Sequence, residues 1–306
     1  MSVTQPSTVA VDPDLLLVGE TAPAPRSRNE TLYFALRNKK LVIGLSVVLL
    51  FLALAIIGPF LTDAEPFEFG YPTGQPPSSE HWLGTTLPGQ DVFSQFVYGL
   101  RASFVVGALG ACIASLIGMV VGFVSGYRGG AIDELLSMLT NIVLVIPTLA
   151  VLIIVSAYLS LKGLVPEAVL IGVTAWPWAA RAIRAQTFTL ASRDFVSLAR
   201  LSGARSWQVI FREIAPNMSS YLFLVFILLF GGSILTAATL DFLGLGPSNA
   251  MSLGLMMNNA VANSALQLDM WWWFVAPGVG IVAIVGGLYV VNVGLDEVFN
   301  PKLRET

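Results

Sequence analysis

The chain has 306 residues, 55% of them hydrophobic and only 11% charged, with a mean hydropathy of +0.77. Soluble domains are about one quarter charged, so the polar surface of a water-soluble protein this size is missing, and an all-α membrane protein is the expected class. Sixteen Lys and Arg against nineteen Asp and Glu leave a net charge of −3, which excludes nucleic-acid binding driven by basic charge; one Cys and one His exclude a disulfide framework and a zinc cluster.

Residues 1–31 carry Pro6, Pro13, Pro23 and Pro25 among small and polar residues, with no apolar core ahead of a small-residue cleavage site. They read as a disordered cytoplasmic tail rather than a signal peptide. The hydrocarbon layer is about 30 Å thick and takes about 20 apolar residues to cross as a helix. Six stretches qualify. The first, 41–61, has no charge and sits behind Lys39 and Lys40, so that 32–61 comprises the helix and its inner anchor. Residues 62–100 follow as an extracytoplasmic loop. The second span, 102–124, is also uncharged. From Gly107 through Ala111, Ser115, Gly118 and Gly122 to Gly126, small residues recur at spacings of three to four, a stripe suited to close helix packing. The third, 135–161, contains Asn141 and Pro147, and the fourth, 164–180, contains Glu167 and two prolines. The fifth and sixth cover 221–240 and 271–295, and 296–306 form a cytoplasmic C-terminal tail. Pro147, Pro177 and Pro277 are expected to kink their helices.

Cations retained on one side orient such a protein. Fourteen of sixteen fall on one set of flanks: Arg26, Arg28, Arg37, Lys39 and Lys40, then Arg128, six arginines from Arg181 to Arg212, and Lys302 with Arg304. Only Arg101 and Lys162 lie on the other side, with the acids Asp63, Glu65, Glu68, Glu80, Asp91, Glu167, Asp241 and Asp269. Both termini are therefore expected in the cytoplasm, with Trp271, Trp272 and Trp273 at the outer interface. The spans themselves hold no Lys or Arg, and their acids sit at the ends. Ion-coupled carriers, voltage sensors and charged filters need ionisable groups at depth, which leaves Asn141 and Asn292 as interhelical hydrogen bonds or substrate contacts. The phosphate-binding G-x-x-x-x-G-K-[ST], the metalloprotease H-E-x-x-H and the hydrolase G-x-S-x-G are all missing. His81 lies in the outer loop without triad partners in the sequence. Energy for active transport must then come from another polypeptide. Cys112, mid-span, is expected to resist membrane-impermeant thiol reagents.

One inner segment, 192–217, is too patterned for a plain connector. Ser192 suits a helix N-cap and Gly203 a helix stop; a second short helix, 206–214, would end at Pro216. Phe195, Leu198 and Trp207 supply apolar knobs, ringed by Arg200, Arg205 and Arg212. Two readings stand: an amphipathic element lying on anionic lipid, or a protrusion that seats in a groove of a cytoplasmic partner, its apolar residues as anchors and its arginines at the rim.

The same segment resembles the coupling loop of binding-protein-dependent ABC importer permeases, E-A-A-x3-G-x9-I-x-L-P. Ala199, Gly203 and Pro216 match in register; Ser197 and Leu198 replace the Glu and first Ala, and Glu213 and Ala215 the Ile and Leu. The 81–85 HWLGT and 89–92 GQDV stretches resemble the outer loop of the dipeptide/oligopeptide branch. So do the 126–152 segment from Gly126-Tyr127 to Pro147, the 241–246 DFLGLG, and Gly294-Leu295-Asp296 with the closing NPKLR of 300–304. The likeness runs in order over about 30–304. It implies a type I ABC importer permease fold of six transmembrane helices, with the permease domain over 101–295 and a cytoplasmic two-helix coupling loop. Phe195, Leu198, Ala199, Arg200, Gly203, Ala204, Arg205, Trp207, Arg212 and Pro216 would form the ATPase contact. Implied partners are a second homologous permease, two cytoplasmic ABC ATPases, an extracytoplasmic solute-binding protein facing 62–99 and 249–268, and the lipid bilayer. No cofactor is expected in this chain; ATP and magnesium belong to the ATPases. The setting implied is a bacterial or archaeal plasma membrane and the cargo a peptide, although the branch also moves short oligosaccharides, nickel complexes and other small solutes. A stand-alone carrier or channel would instead show flux from this chain alone, and an intramembrane enzyme lacks any catalytic constellation.

Overall fold

The computed structural model describes residues 34–159 and 163–299; the expectations for 1–31, Lys162 and 300–306 lie outside them. Among the described residues the chain is helical between its loops, and the one pairing of extended backbone is the isolated bridge of Thr85 with Asp91. The helices in order are α1 (Lys39–Ile57), α2 (Val92–Arg128), α3 (Gly130–Val145), α4 (Thr148–Leu159), α5 (Leu164–Ala191), α6 (Asp194–Leu201), α7 (Ser219–Phe242), α8 (Leu253–Ala262) and α9 (Trp271–Phe299), with short helical turns between α6 and α7.

Four helices, α1, α2, α7 and α9, are long and apolar enough to cross a membrane; α3 and α4 make a fifth crossing if counted as one span, bent by 74°. The bend is set at Ile146, whose ψ of 126° is the extended conformation favoured before a proline. Pro177 and Pro277, by contrast, lie inside continuous helices. Helix α5 is diluted by Glu167, Arg181 and its prolines and tryptophans. At 28 residues it is still about 42 Å long, and it runs parallel to α2 along the small-residue stripe. A Cβ on Gly118 would meet Ala179, one on Gly122 would meet Ile183, and one on Gly126 would meet Thr187, all within 2.9 Å. A six-pass arrangement is compatible with this packing. Gly107, at the top of the stripe, faces Ile234 and Phe230 of α7 instead.

Two boundaries depart from the sequence reading. Helix α2 begins at Val92, ten residues ahead of 102, because Asp91 caps it by accepting from Ser94 N–H at 2.7 Å. The buried polar residues Ser94 and Gln95 in that first turn disguise it as loop. Helix α5 continues to Ala191, so Arg181 and Arg184 stand on a helix wall and not in a connector.

The three consecutive tryptophans open α9. Of the three, Trp271 is exposed, Trp273 is fully buried, and Trp272 is buried and donates from Nε1 to Thr85 O at 3.3 Å, packing the end of the bundle. The loop before α2 is pinned by His81, whose Nδ1 lies 2.8 Å from Asp91 Oδ2, and by Ser94 Oγ donating to Ala64 O at 2.7 Å. Asn292 donates to Leu224 O at 2.8 Å, an interhelical bond. Cys112 is exposed on the flank of α2. Glu167, at the start of α5, and Asp241, at the end of α7, are both buried.

Candidate functional site

The segment 192–217 folds as a protrusion at the cation-rich end. Helix α6 carries Asp194 in its first turn and Arg200 in its last, each matching the local sign of the helix dipole. Its end is a Schellman motif. Gly203 N–H bonds to Arg200 O at 3.0 Å and Ala204 N–H to Ala199 O at 3.1 Å, with Gly203 at φ +81°. The chain then re-enters helix at 206–208, where Gln208 Oε1 accepts from Arg205 N–H at 2.8 Å. Val209–Ile214 is a π turn, closed by Ala215 N–H bonding to Ile210 O. Pro216, which has no N–H to give Arg212 O, sits in the turn that follows.

The protrusion is rooted in the bundle. Val196, Val209, Ile210 and Ile214 are buried in a cluster that includes Ala114 and Phe123 of α2, Ile183 of α5 and Leu229 of α7. Its tip is bare: Leu198, Leu201, Trp207 and Phe211 are 64%, 86%, 53% and 64% exposed. Arg205 and Arg212 are exposed, and so is Arg200, whose guanidinium lies 4.7 Å above the Tyr127 ring and donates from Nε to its hydroxyl at 3.2 Å. Four large apolar side chains and three arginines are thus exposed together on the protrusion.

Of the ten residues singled out from sequence, the structure puts Leu198, Arg200, Gly203, Arg205, Trp207, Arg212 and Pro216 on the exposed part. Phe195, Ala199 and Ala204 pack instead against the buried cluster, so Phe195 is a root and not a knob. Ser192 does not cap α6; Arg193 precedes the helix, and Ser192 Oγ donates back to Thr189 O at 3.0 Å. Nor does Pro216 stop the second arm, because the π turn absorbs its missing donor. Leu201 and Phe211 were missed. Leu201 is three residues beyond Leu198, and that i, i+3 spacing is the signal that places both on one face.

Residues 95–305 match the family described as binding-protein-dependent transport system inner membrane component. The chain is 31% identical over 270 residues to the dipeptide transport system permease protein DppC of Bacillus subtilis (strain 168), covering 88% of this chain and 83% of that protein. It is 31% identical over 275 residues to the oligopeptide transport system permease protein OppC of the same organism, with 88% and 87% covered. Against the glutathione transport system permease protein GsiD of Pectobacterium atrosepticum the identity is 31% over 261 residues, 84% of this chain and 85% of that one.

Proposed function

The chain belongs to the family of binding-protein-dependent transport system inner membrane components, and from that premise we propose that it is the permease subunit of an ATP-driven ABC importer that carries di- and oligopeptides inward. Its relatives are named for dipeptide, oligopeptide and glutathione transport. It is a non-catalytic subunit, paired with a second homologous permease, two cytoplasmic ATPases that bind ATP and magnesium, and an extracytoplasmic solute-binding protein. Both termini face the cytoplasm, on the side where the cations concentrate.

The observation that carries the coupling role is the protrusion: an apolar tip rimmed by arginines and anchored between α2, α5 and α7. A rigid root is what a transmitting element needs. Motion imposed on Trp207 or Leu198 by a closing ATPase is passed through Val196 and Ile214 to three helices at once. The two exposed substitutions Leu198→Glu and Trp207→Glu place carboxylates at the tip without touching the root. In the reconstituted complex, peptide uptake and peptide-stimulated ATP hydrolysis should both collapse while membrane insertion is retained. Unchanged ATP-dependent uptake would sink the coupling assignment.

A further inference from the structure

Two arginines on α5 differ in how their charge is met. Arg184 gives Nε and one Nη to the two carboxyl oxygens of Asp133 on α3, at 2.5 and 2.6 Å. Arg181, one turn earlier, donates to Asn141 Oδ1 at 2.6 Å and pairs with no carboxylate among the described residues. A guanidinium has five N–H donors, so most of its capacity is unspent. It lines a cavity of about 420 Å³ between α2, α3 and α5, with Ser137 and Thr140 beside it.

Ser137 and Asn141 border both that cavity and a shallow, open groove along one face of α3. On that face Ser137 and Met138 lie between the exposed Glu134 and Asn141, and Ile142, Val145 and Ile146 continue it beyond Asn141. Glu134 and Asn141 are seven residues apart on one helix, about 10 Å along its axis. An extended chain covers that distance in roughly three residues. The Glu134 carboxylate, Met138 and the Asn141–Arg181 pair thus follow one another over about the length of a short zwitterionic peptide.

Resting on the peptide-importing reading, we propose that Arg181 with Asn141 forms a subsite for the C-terminal carboxylate of the passing peptide, with Glu134 facing its ammonium group and the α3 groove its side chains. The two termini are what all unmodified peptides share, and apolar contact is non-directional, so such a site accepts many sequences. An anionic phospholipid would suit Arg181 and the groove but would meet Glu134 as a like charge.

The test uses the complete importer in proteoliposomes, with a tripeptide and its C-terminal amide at concentrations where the wild type moves both. Arg181→Ala removes the cation, and Arg181→Gln also removes it while keeping a hydrogen bond to Asn141. Both should slow uptake of the free acid roughly tenfold, the scale of a lost charge-assisted hydrogen bond, and leave amide uptake nearly unchanged. The binding protein is the same throughout, so a changed acid-to-amide ratio reports on this chain. Glu134→Gln should likewise slow a free-amine peptide and spare its N-acetyl form. Equal loss of acid and amide uptake, or an unchanged ratio, overturns the subsite. So does activity that follows the anionic-lipid content of the vesicles instead of the peptide terminus. Failure of the wild type to move any peptide overturns the peptide reading itself, and is distinguished because it appears before any substitution.

Discussion

Gly203 turns the chain out of α6 at φ +81°, and its N–H and that of Ala204 both close back onto the last helical turn. No atom lies within 4 Å of where a Cβ would stand, so the demand for glycine is conformational and not steric. Holding an L-residue in that region costs about 1–2 kcal/mol. Gly203→Ala should therefore keep the chain inserted but open the Schellman motif more often, seen as roughly tenfold faster hydrogen exchange at residues 203 and 204. Exchange no faster than in the wild type would show that the motif does not hold the turn. This residue was legible because a glycine after a short amphipathic run has few other uses. Phe211 was missed although its signal was there. It stands four residues after Trp207, an i, i+4 spacing that puts both on one helix face, and both are exposed. Phe195 was misread for a different reason: composition marks it as apolar, but which side of an eight-residue helix faces the bundle depends on where α2 and α7 lie.

Between α2 and α5 the governing quantity is closest approach. A Cβ on Gly122 would come 2.8 Å from Ile183 Cβ and 2.9 Å from Ala180 O, with backbone and a branched side chain having nowhere to go. Membrane helices gain no hydrophobic drive from meeting each other, so van der Waals contact of this kind holds the pair. Gly122→Leu should cost about 1–3 kcal/mol or more by overpacking, read as a lower Tm in detergent. Gly286→Ala on α9, where no atom lies within 4 Å of the added carbon, should be neutral or mildly stabilising by helix propensity. Equal Tm losses in the two variants would show that the seam is not tightly packed. The spacing of the small residues announced this seam, whereas the partner helix was hidden. Nothing in one sequence says that Gly118 meets Ala179, and the start of α2 was obscured because its first turn buries Ser94 and Gln95 rather than apolar side chains. The break at Pro147 was visible as a proline but not as a 74° bend, since Pro177 and Pro277 are equally visible and break nothing.

Over the whole molecule, the two ends of the bundle differ in charge and in construction. At one end Lys40 of α1 pairs with Glu297 of α9 at 2.5 Å, Arg184 of α5 pairs with Asp133 of α3, and the 192–217 protrusion hangs beneath. At the other the long loop before α2 is tied to Trp272 and to Asp91. Cation placement alone separated these ends in the sequence, because the bilayer sorts Lys and Arg by side whatever the tertiary packing. Orientation can be tested without any transport assay, since Cys112 is the chain's one cysteine. In a Cys112→Ser background, Ser79→Cys in the outer loop and Ser202→Cys beside Gly203 each place a thiol on an exposed position. A membrane-impermeant maleimide added to intact cells should label the first, and the second only after permeabilisation. The reverse pattern would put the protrusion outside, beyond reach of any cytoplasmic ATPase. In the unaltered chain, Cys112 is exposed on α2 near the middle of a 37-residue helix. This chain's own core does not cover it, so extraction from the bilayer into detergent should speed its labelling where a core cysteine would stay protected.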